Sequence, residues 1–447
     1  MESFLEELAG YILGILIASV SLFFYLRGKR KKSRSNIEKI EKAKEMGIYE
    51  PVSLHPVVNE SICIGSAACV MACPEKDIIA IVHGKASAVN TSRCVGHGAC
   101  FHACPVQAIS LYIGTEKRGV ELPHMSEEFE TNVPGLYIAG ELGGMGLIKN
   151  AVEQGKQAVE YFMKKYPGKN KAQYDLLIIG AGPAGIAASL KAKEKGLSFI
   201  TLEQDTLGGT VYSFPRQKLV MTNPMDLPLH GKVKLYETSK DELITLWKEV
   251  LEKNQITVNE LEKVESVERK PDHFEIKSSK ATYTSRGIIM AIGRRGTPRK
   301  IGCAGEVSPK VYYRLLEPEL IKNQKILVVG GGDSAIENAM MLADEGNEVH
   351  LSYRSEAFSR LKPKNSEKIN QYIAARKITP LFSTTVTEIT EKKVILKGTD
   401  NPELITEIEN DLVYVYIGGE LPTQFLEKAG IHITKRFGEP ILFHKEK

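Results

Sequence analysis

The sequence has almost no charge imbalance: 59 lysines and arginines stand against 55 acids, a formal +4 over 447 residues. Six of those basic residues fall in the run RGKRKKSR at 27–34, so the remainder is slightly acidic and no nucleic-acid surface is implied. Cysteine is scarce too, and its total of seven is odd. Six of the seven sit in two short clusters, with no secretory cleavage pattern ahead of them, which favours a reducing compartment and metal ligation over disulfides. The lone tryptophan, Trp247, lies in a helically periodic stretch and reads as packing. What is present, 43% hydrophobic and 26% charged residues, describes a globular chain of two to four domains.

Charge is missing altogether from residues 8–26, LAGYILGILIASVSLFFYL, a run long enough to cross a ~30 Å hydrocarbon core as one helix. Glu2, Glu6 and Glu7 precede it and the basic residues follow, the reverse of a cleaved signal. The positive-inside rule then leaves the N-terminus outside and the rest in the cytoplasm, giving a single-pass protein of the inner membrane. Residues 1–34 are the anchor with its basic flank. Residues 35–56, opening SNIEKIEKAKEM, read as a solvated helix or spacer off the membrane, a linker without chemistry.

CIGSAACVMACP begins at Cys63 and CVGHGACFHACP at Cys94, so Cys63, Cys69 and Cys73 recur thirty-one residues later as Cys94, Cys100 and Cys104. Each half ends in Cys-Pro and an apolar run. Residues 57–114 resemble the bacterial two-cluster ferredoxin, whose pattern is C-x2-C-x2-C-x3-C-P. The resemblance implies an α+β module with two iron–sulfur clusters, [4Fe-4S] or [3Fe-4S], one held by Cys63, Cys69 and Cys104 and the other by Cys94, Cys100 and Cys73. Ser66 and His97 replace the second cysteine of each run, which leaves three thiolates per cluster and Ser66 or His97 as the candidate fourth ligand, imidazole being the better one for iron. The close C-x3-C pairs suit cubane clusters better than one tetrahedral zinc.

At YDLLIIGAGPAGIAASLKAKEKGLSFITLEQD, residues 174–205, an apolar strand meets Gly180, Gly182 and Gly185 and then a helix. A second strand ends at Glu203, an acid placed for a ribose hydroxyl, and together these form a dinucleotide-binding Rossmann fingerprint. Gly208 and Gly209 follow as a further close approach. Upstream, ETNVPGLYIAGELGGMGLIKNAVEQG (130–155) resembles the closing segment of the flavin domain in thioredoxin-reductase-like flavoproteins. The resemblance places Gly140 and Glu141 at the ribityl–phosphate region, with Lys149, Asn150 and Ala151 at the start of a helix aimed at the flavin ring. That motif is missing downstream of Gly418, where relatives carry it, so the flavin domain is expected to be circularly permuted.

QKILVVGGGDSAIENAMMLADEGNEVHLSYR (324–354) is a second such unit, with Gly330, Gly332, Ser334 and Ala335 in the cradle. Its second strand lacks a terminal acid. Arg354, with Arg360, could instead meet a 2′-phosphate, which favours NADPH over NADH. The expected layout is α/β with two Rossmann-like domains: 115–170 as the permuted flavin segment, 171–297 for FAD, 298–418 for NAD(P)H, and 419–447 returning to the FAD domain.

The CxxC that thioredoxin reductases carry before their second fingerprint is also lacking; only Cys303 lies there. These features imply a membrane-anchored NADPH-dependent oxidoreductase passing electrons between NADPH, FAD and the clusters, with cofactors rather than an acid–base dyad doing the chemistry. A quinone, a soluble ferredoxin or a thiol system could be its redox partner, and a homodimer stays open. Two other functions remain: a flavin-dependent reductase of a low-molecular-weight disulfide, resembling the bacillithiol-disulfide reductases, and a membrane-tethered redox sensor.

Overall fold

The computed structural model describes the chain apart from residues 1, 46–50, 52–53, 76, 92–93, 95, 97, 118, 144–146, 169–170, 215–218, 222–223, 236, 295–296, 359–360, 421, 443 and 445–447. Two compact units result: residues 1–120 with 436–447, and residues 121–435.

In the first unit a single helix, α1 (Glu2–Glu45), runs through the charge-free segment and beyond it. It is long and apolar enough to cross a membrane, and no part of its apolar window is buried in protein. The linker segment is helical as far as Glu45, the helix being one of the two forms expected for it, and it is only partly solvated because its sparse apolar residues recur at helical spacing and find a surface. Ser33, Asn36, Ile37, Ile40 and Ala43 form one stripe, with Ala43 only 1% exposed. Asn36 Nδ2 donates to the Ile81 carbonyl at 3.2 Å, and Lys39 pairs with Asp77 at 2.8 Å. That surface is a hairpin of strands Ile79–Val82 and Lys85–Ala88.

Two five-residue helices, α2 (Ala68–Ala72) and α3 (Ala99–Ala103), repeat the sequence duplication in space. Both start from a left-handed residue, Ala67 at φ 60° and Gly98 at φ 71°. Strand His55–Val58 pairs antiparallel with Ile109–Ile113, whose other edge takes Glu439–Leu442. The last of these strands departs from the expected return of 419–447 to the flavin domain: residues 436–447 belong to the first unit. Paired to Ile113 and Leu111, this strand covers an otherwise open sheet edge.

The second unit holds two α/β halves. In the first, the strand order is 258–259, 199–202, 174–179, 282–290, 274–278, 264–269, and strand Leu136–Ile138 joins beside 282–290 in parallel. A strand that precedes the first fingerprint in sequence is thereby built into its sheet, with Leu136 opposite Ile288 and Leu177 opposite the same residue on the other side. Helix α4 (Ile148–Lys165) buries Ala151, Val152, Gln154, Gly155, Ala158, Val159 and Phe162, a stripe with helical period. It crosses α5 (Pro183–Glu194) at Gly155, where a Cβ would stand 2.1 Å from the Ala184 carbonyl oxygen. Helix α6 (Lys240–Lys253) opens with a capping box of Ser239 and Glu242, and its Trp247 is fully buried. In the second half, a five-stranded parallel sheet in the order 311–312, 412–415, 325–329, 348–353, 378–382 carries α7 (Asp333–Asp344).

Candidate functional site

Cys63, Cys69 and Cys104 line one cavity, together with Ile64, Ser66 and Ala86. Cys73, Cys94 and Cys100 line a second, with Glu75, Ile78 and Leu111. All six are free thiols. The crossing of the fourth cysteine of each run to the other cavity follows from the duplicated helices packing together. Among the described residues, no three His, Cys, Asp or Glu side chains converge on one metal ion. Three thiols around a common cavity suit an inorganic core of several atoms.

Backbone N–H groups point at the sulfurs. Gly65 and Ala86 donate to Cys63 Sγ at 3.4 Å, Gly96 to Cys94 Sγ at 3.5 Å, and Ala108 to Cys104 Sγ at 3.2 Å. Donors of this kind lower the charge density on a ligating sulfur and tune a cluster's potential. Burial pushes the Cys94 thiol up to about 11 and the Cys100 thiol up to about 12. Such thiols become ligands when a metal supplies the compensating charge. Ser66 lines the first cavity, and its Oγ accepts from the Ala68 N–H at 3.5 Å. His97 lies outside the described residues.

The first glycine cradle is built by close backbone approach. Gly180 has φ 103°, and a Cβ on it would stand 2.5 Å from the Ala291 carbonyl oxygen. At Gly185 a Cβ would meet the Gly180 carbonyl at 1.8 Å, so α5 can lie on its strand only without a side chain there. Gly182, the N-cap of α5, faces open space. Gly209 packs on Gly182, and the Gly208 N–H donates to the Ala181 carbonyl at 2.9 Å. Gly140 comes from the upstream segment, held by its N–H donating to Gln154 Oε1 at 2.8 Å and packed beside Ala151 and Ala184. Asn150 and Ala151 lie in the first turn of α4.

Glu203 is buried, which pushes its carboxyl up, while the Ala181 and Asp205 N–H groups donate to its two oxygens at 2.7 and 2.9 Å. An open helix N-terminus framed by six glycines and an acid at the end of the second strand suits a dinucleotide pyrophosphate and ribose.

The second cradle repeats the design. Gly330 has φ 138° with its would-be Cβ 2.4 Å from the Tyr416 carbonyl, and Gly332 caps α7 facing open space. Ala335 is fully buried under the turn, and the Ser334 carbonyl accepts from Asn338 Nδ2 at 2.8 Å. Arg354 is exposed just beyond the strand ending at Tyr353. Arg360 lies outside the described residues. Cys303, in the second unit, is a free thiol pushed up by burial.

Sequence reasoning missed three residues. Arg294 follows the strand ending at Met290; burial draws its guanidinium down while the charge of Glu141 opposes the shift. Gln154 was hidden as a polar residue on an apolar helix face, which was its one available signal. The Tyr353 ring lies flat against Gly331, where a Cβ would stand 2.3 Å from it.

Comparison with known proteins agrees with this geometry. The family of pyridine nucleotide-disulphide oxidoreductases matches residues 177–446, and the 4Fe-4S dicluster domain matches 55–105. The bacilliredoxin reductase Bdr of Bacillus subtilis is 30% identical over 279 residues, 61% of this chain and 85% of that protein. A ferredoxin–NADP reductase of Ignicoccus hospitalis is 30% identical over 185 residues, and the chain spans 57% of its length, using 41% of its own. The solved structure of the bacillithiol disulfide reductase Bdr (YpdA) from Staphylococcus aureus superposes with a TM-score of 0.52 at 26% identity, covering 59% of this chain and 84% of that one.

Two glycine cradles on Rossmann-type sheets, matched in this way, define an NAD(P)H-dependent flavoprotein oxidoreductase joined to a ferredoxin-type domain. The chain belongs to the pyridine nucleotide-disulphide oxidoreductase family.

Proposed function

We propose that the protein is a membrane-anchored electron-transfer flavoprotein, with FAD in the cradle of Gly180, Gly182 and Gly185, NADPH in that of Gly330 and Gly332, and a 4Fe-4S cluster in each thiol cavity. The observation that carries this reading is the division of six cysteines into two sets of three, one cavity each, in the same chain as two nucleotide cradles. FAD, when bound, exchanges electron pairs with NADPH and single electrons with iron–sulfur clusters. The protein's own residues bind and orient: Glu203 faces the ribose, Gly140, Glu141 and the start of α4 meet the flavin, and Arg354 meets the 2′-phosphate. Helix α1 supplies the anchor.

A second reading, reduction of a low-molecular-weight disulfide, draws on the likeness to the two Bdr proteins. Anaerobic titration of the purified full-length chain with NADPH separates the readings. Flavin bleaching followed by cluster EPR signals supports electron transfer. Bleaching with disulfide turnover and silent clusters supports the second reading, and absence of bleaching leaves a redox sensor.

A further inference from the structure

Resting on the reading of residues 8–26 as a membrane span, we infer that the ferredoxin-type unit lies against the lipid surface with its Cys63 loop toward it. Ile62 and Ile64 contact the headgroup layer, and the cavity of Cys63, Cys69 and Cys104 is the membrane-proximal one of the two.

The argument follows α1 out of the bilayer. The apolar run ends at Leu26, and the helix continues unbroken to Glu45. At ~1.5 Å of rise per residue, Ser33 stands roughly 10 Å beyond the hydrocarbon edge. The headgroup region adds about 5–8 Å on each side, so Ser33 is just outside it. The ferredoxin hairpin is docked to α1 in a fixed order. The His83 N–H donates to Ser33 Oγ at 3.1 Å, Asn36 reaches the Ile81 carbonyl at 3.2 Å, and Lys39 pairs with Asp77 at 2.8 Å. The turn at His83 is therefore the bilayer end of the hairpin, and Asp77, before the strand begins, marks the far end.

Gly84 follows His83 in the hairpin turn, and Gly65 of the Cys63 loop packs directly on it. The Ala86 N–H, from the same hairpin, donates to Cys63 Sγ. The first thiol cavity is thus level with the turn nearest the lipid. The second is lined by Ile78 and Ile79, at the level of Asn36 to Lys39, roughly 5–9 Å farther along α1.

The surface at the lower level suits lipid. Ile62 is 47% exposed and Ile64 65% exposed, one on each side of Cys63. Between the apolar run and the docked hairpin, α1 carries the six basic residues of 27–34, which attract anionic headgroups at about 1 kcal/mol per charge. A rigid helical strut, a basic collar and an exposed isoleucine pair beside one cavity select a bilayer as the occupant of this face.

The test uses the full-length protein in liposomes containing anionic phospholipid and two photoactivatable phospholipids, one with a diazirine in the acyl chain and one with it in the headgroup. Adducts are mapped by peptide mass spectrometry. The expected result is acyl-probe labelling within 8–26 and headgroup-probe labelling at both 27–34 and Ile62–Ile64, the latter lost in I64D with labelling of 8–26 unchanged. Headgroup labelling confined to 27–34 overturns the inference and leaves the anchor standing. Failure of the acyl probe to label 8–26 overturns the anchor, and this inference with it.

Discussion

A methyl group on Gly65 would stand 1.9 Å from the carbonyl oxygen of Gly84, inside any permitted contact, and Gly65 itself sits at φ 69°. Neither residue can move without moving the Cys63 loop or the hairpin turn. Gly65→Ala is therefore expected to spoil the first thiol cavity alone. Iron per flavin should fall to about half, the share of one of two equal sites, with FAD content unchanged. Metal analysis and flavin absorbance of the same preparation check this.

The two cysteine sets predict grouped phenotypes that cut across sequence order. Cys63→Ser, Cys69→Ser and Cys104→Ser should remove one cluster EPR signal, and Cys73→Ser, Cys94→Ser and Cys100→Ser the other. Cys104→Ser behaving like Cys94→Ser would contradict the cavities described.

Gly155→Ala tests the joint between the upstream helix and the first fingerprint. Its Cβ would press on the Ala184 carbonyl at 2.1 Å, and overpacking of this kind costs about 1–3 kcal/mol. The expected outcome is a lower Tm and faster flavin release, while the EPR signals of the clusters stay as in the parent protein.

Glu130 predicts a pH effect. Burial pushes its carboxyl up, but Lys165, the Tyr166 hydroxyl at 2.6 Å and the Gly135 N–H at 2.8 Å together hold it below the usual glutamate value. A group with a depressed folded pKa contributes stability above its unfolded value of about 4.3, and that contribution is lost as pH falls through the folded value. Glu130→Gln should lower Tm at pH 7, and the gap to the parent should close on acidification below pH 4.3. A gap that stays constant across thermal melts from pH 7 to pH 3 would refute the role.

For Arg354, the expected effect of Arg354→Gln is a roughly tenfold rise in KM for NADPH, equivalent to about 1.4 kcal/mol, with NADH unaffected. Steady-state kinetics with both nucleotides decide it.

The parts of this protein that were legible in sequence are those where chemistry leaves no choice of residue. A pyrophosphate needs a bare backbone, so Gly180, Gly182 and Gly185 announce their turn, and a cluster needs thiolates, so the thirty-one-residue echo of Cys63 in Cys94 is visible by eye. The upstream strand that joins the first sheet was legible for the same reason, through Gly135 and Gly140. Less visible were features set by tertiary partners. Ile37, Ile40 and Ala43 carry a weak stripe whose meaning depends on the hairpin opposite. Glu439–Leu442 resembles many short strands, and nothing local says that its neighbour is Ile109–Ile113. Arg294 and Gln154 act through what surrounds them, which composition and spacing do not encode.

The pairing of Glu439 with Ile113 has a bearing on biogenesis. All of the flavin and nucleotide portion is translated between these two partners, so the small sheet that backs the cysteines stays one strand short until ribosomes have passed residue 442. That wall is then completed late, after the large α/β portion has been synthesised, and a nascent chain stalled before that point would carry its thiols beside an unfinished sheet.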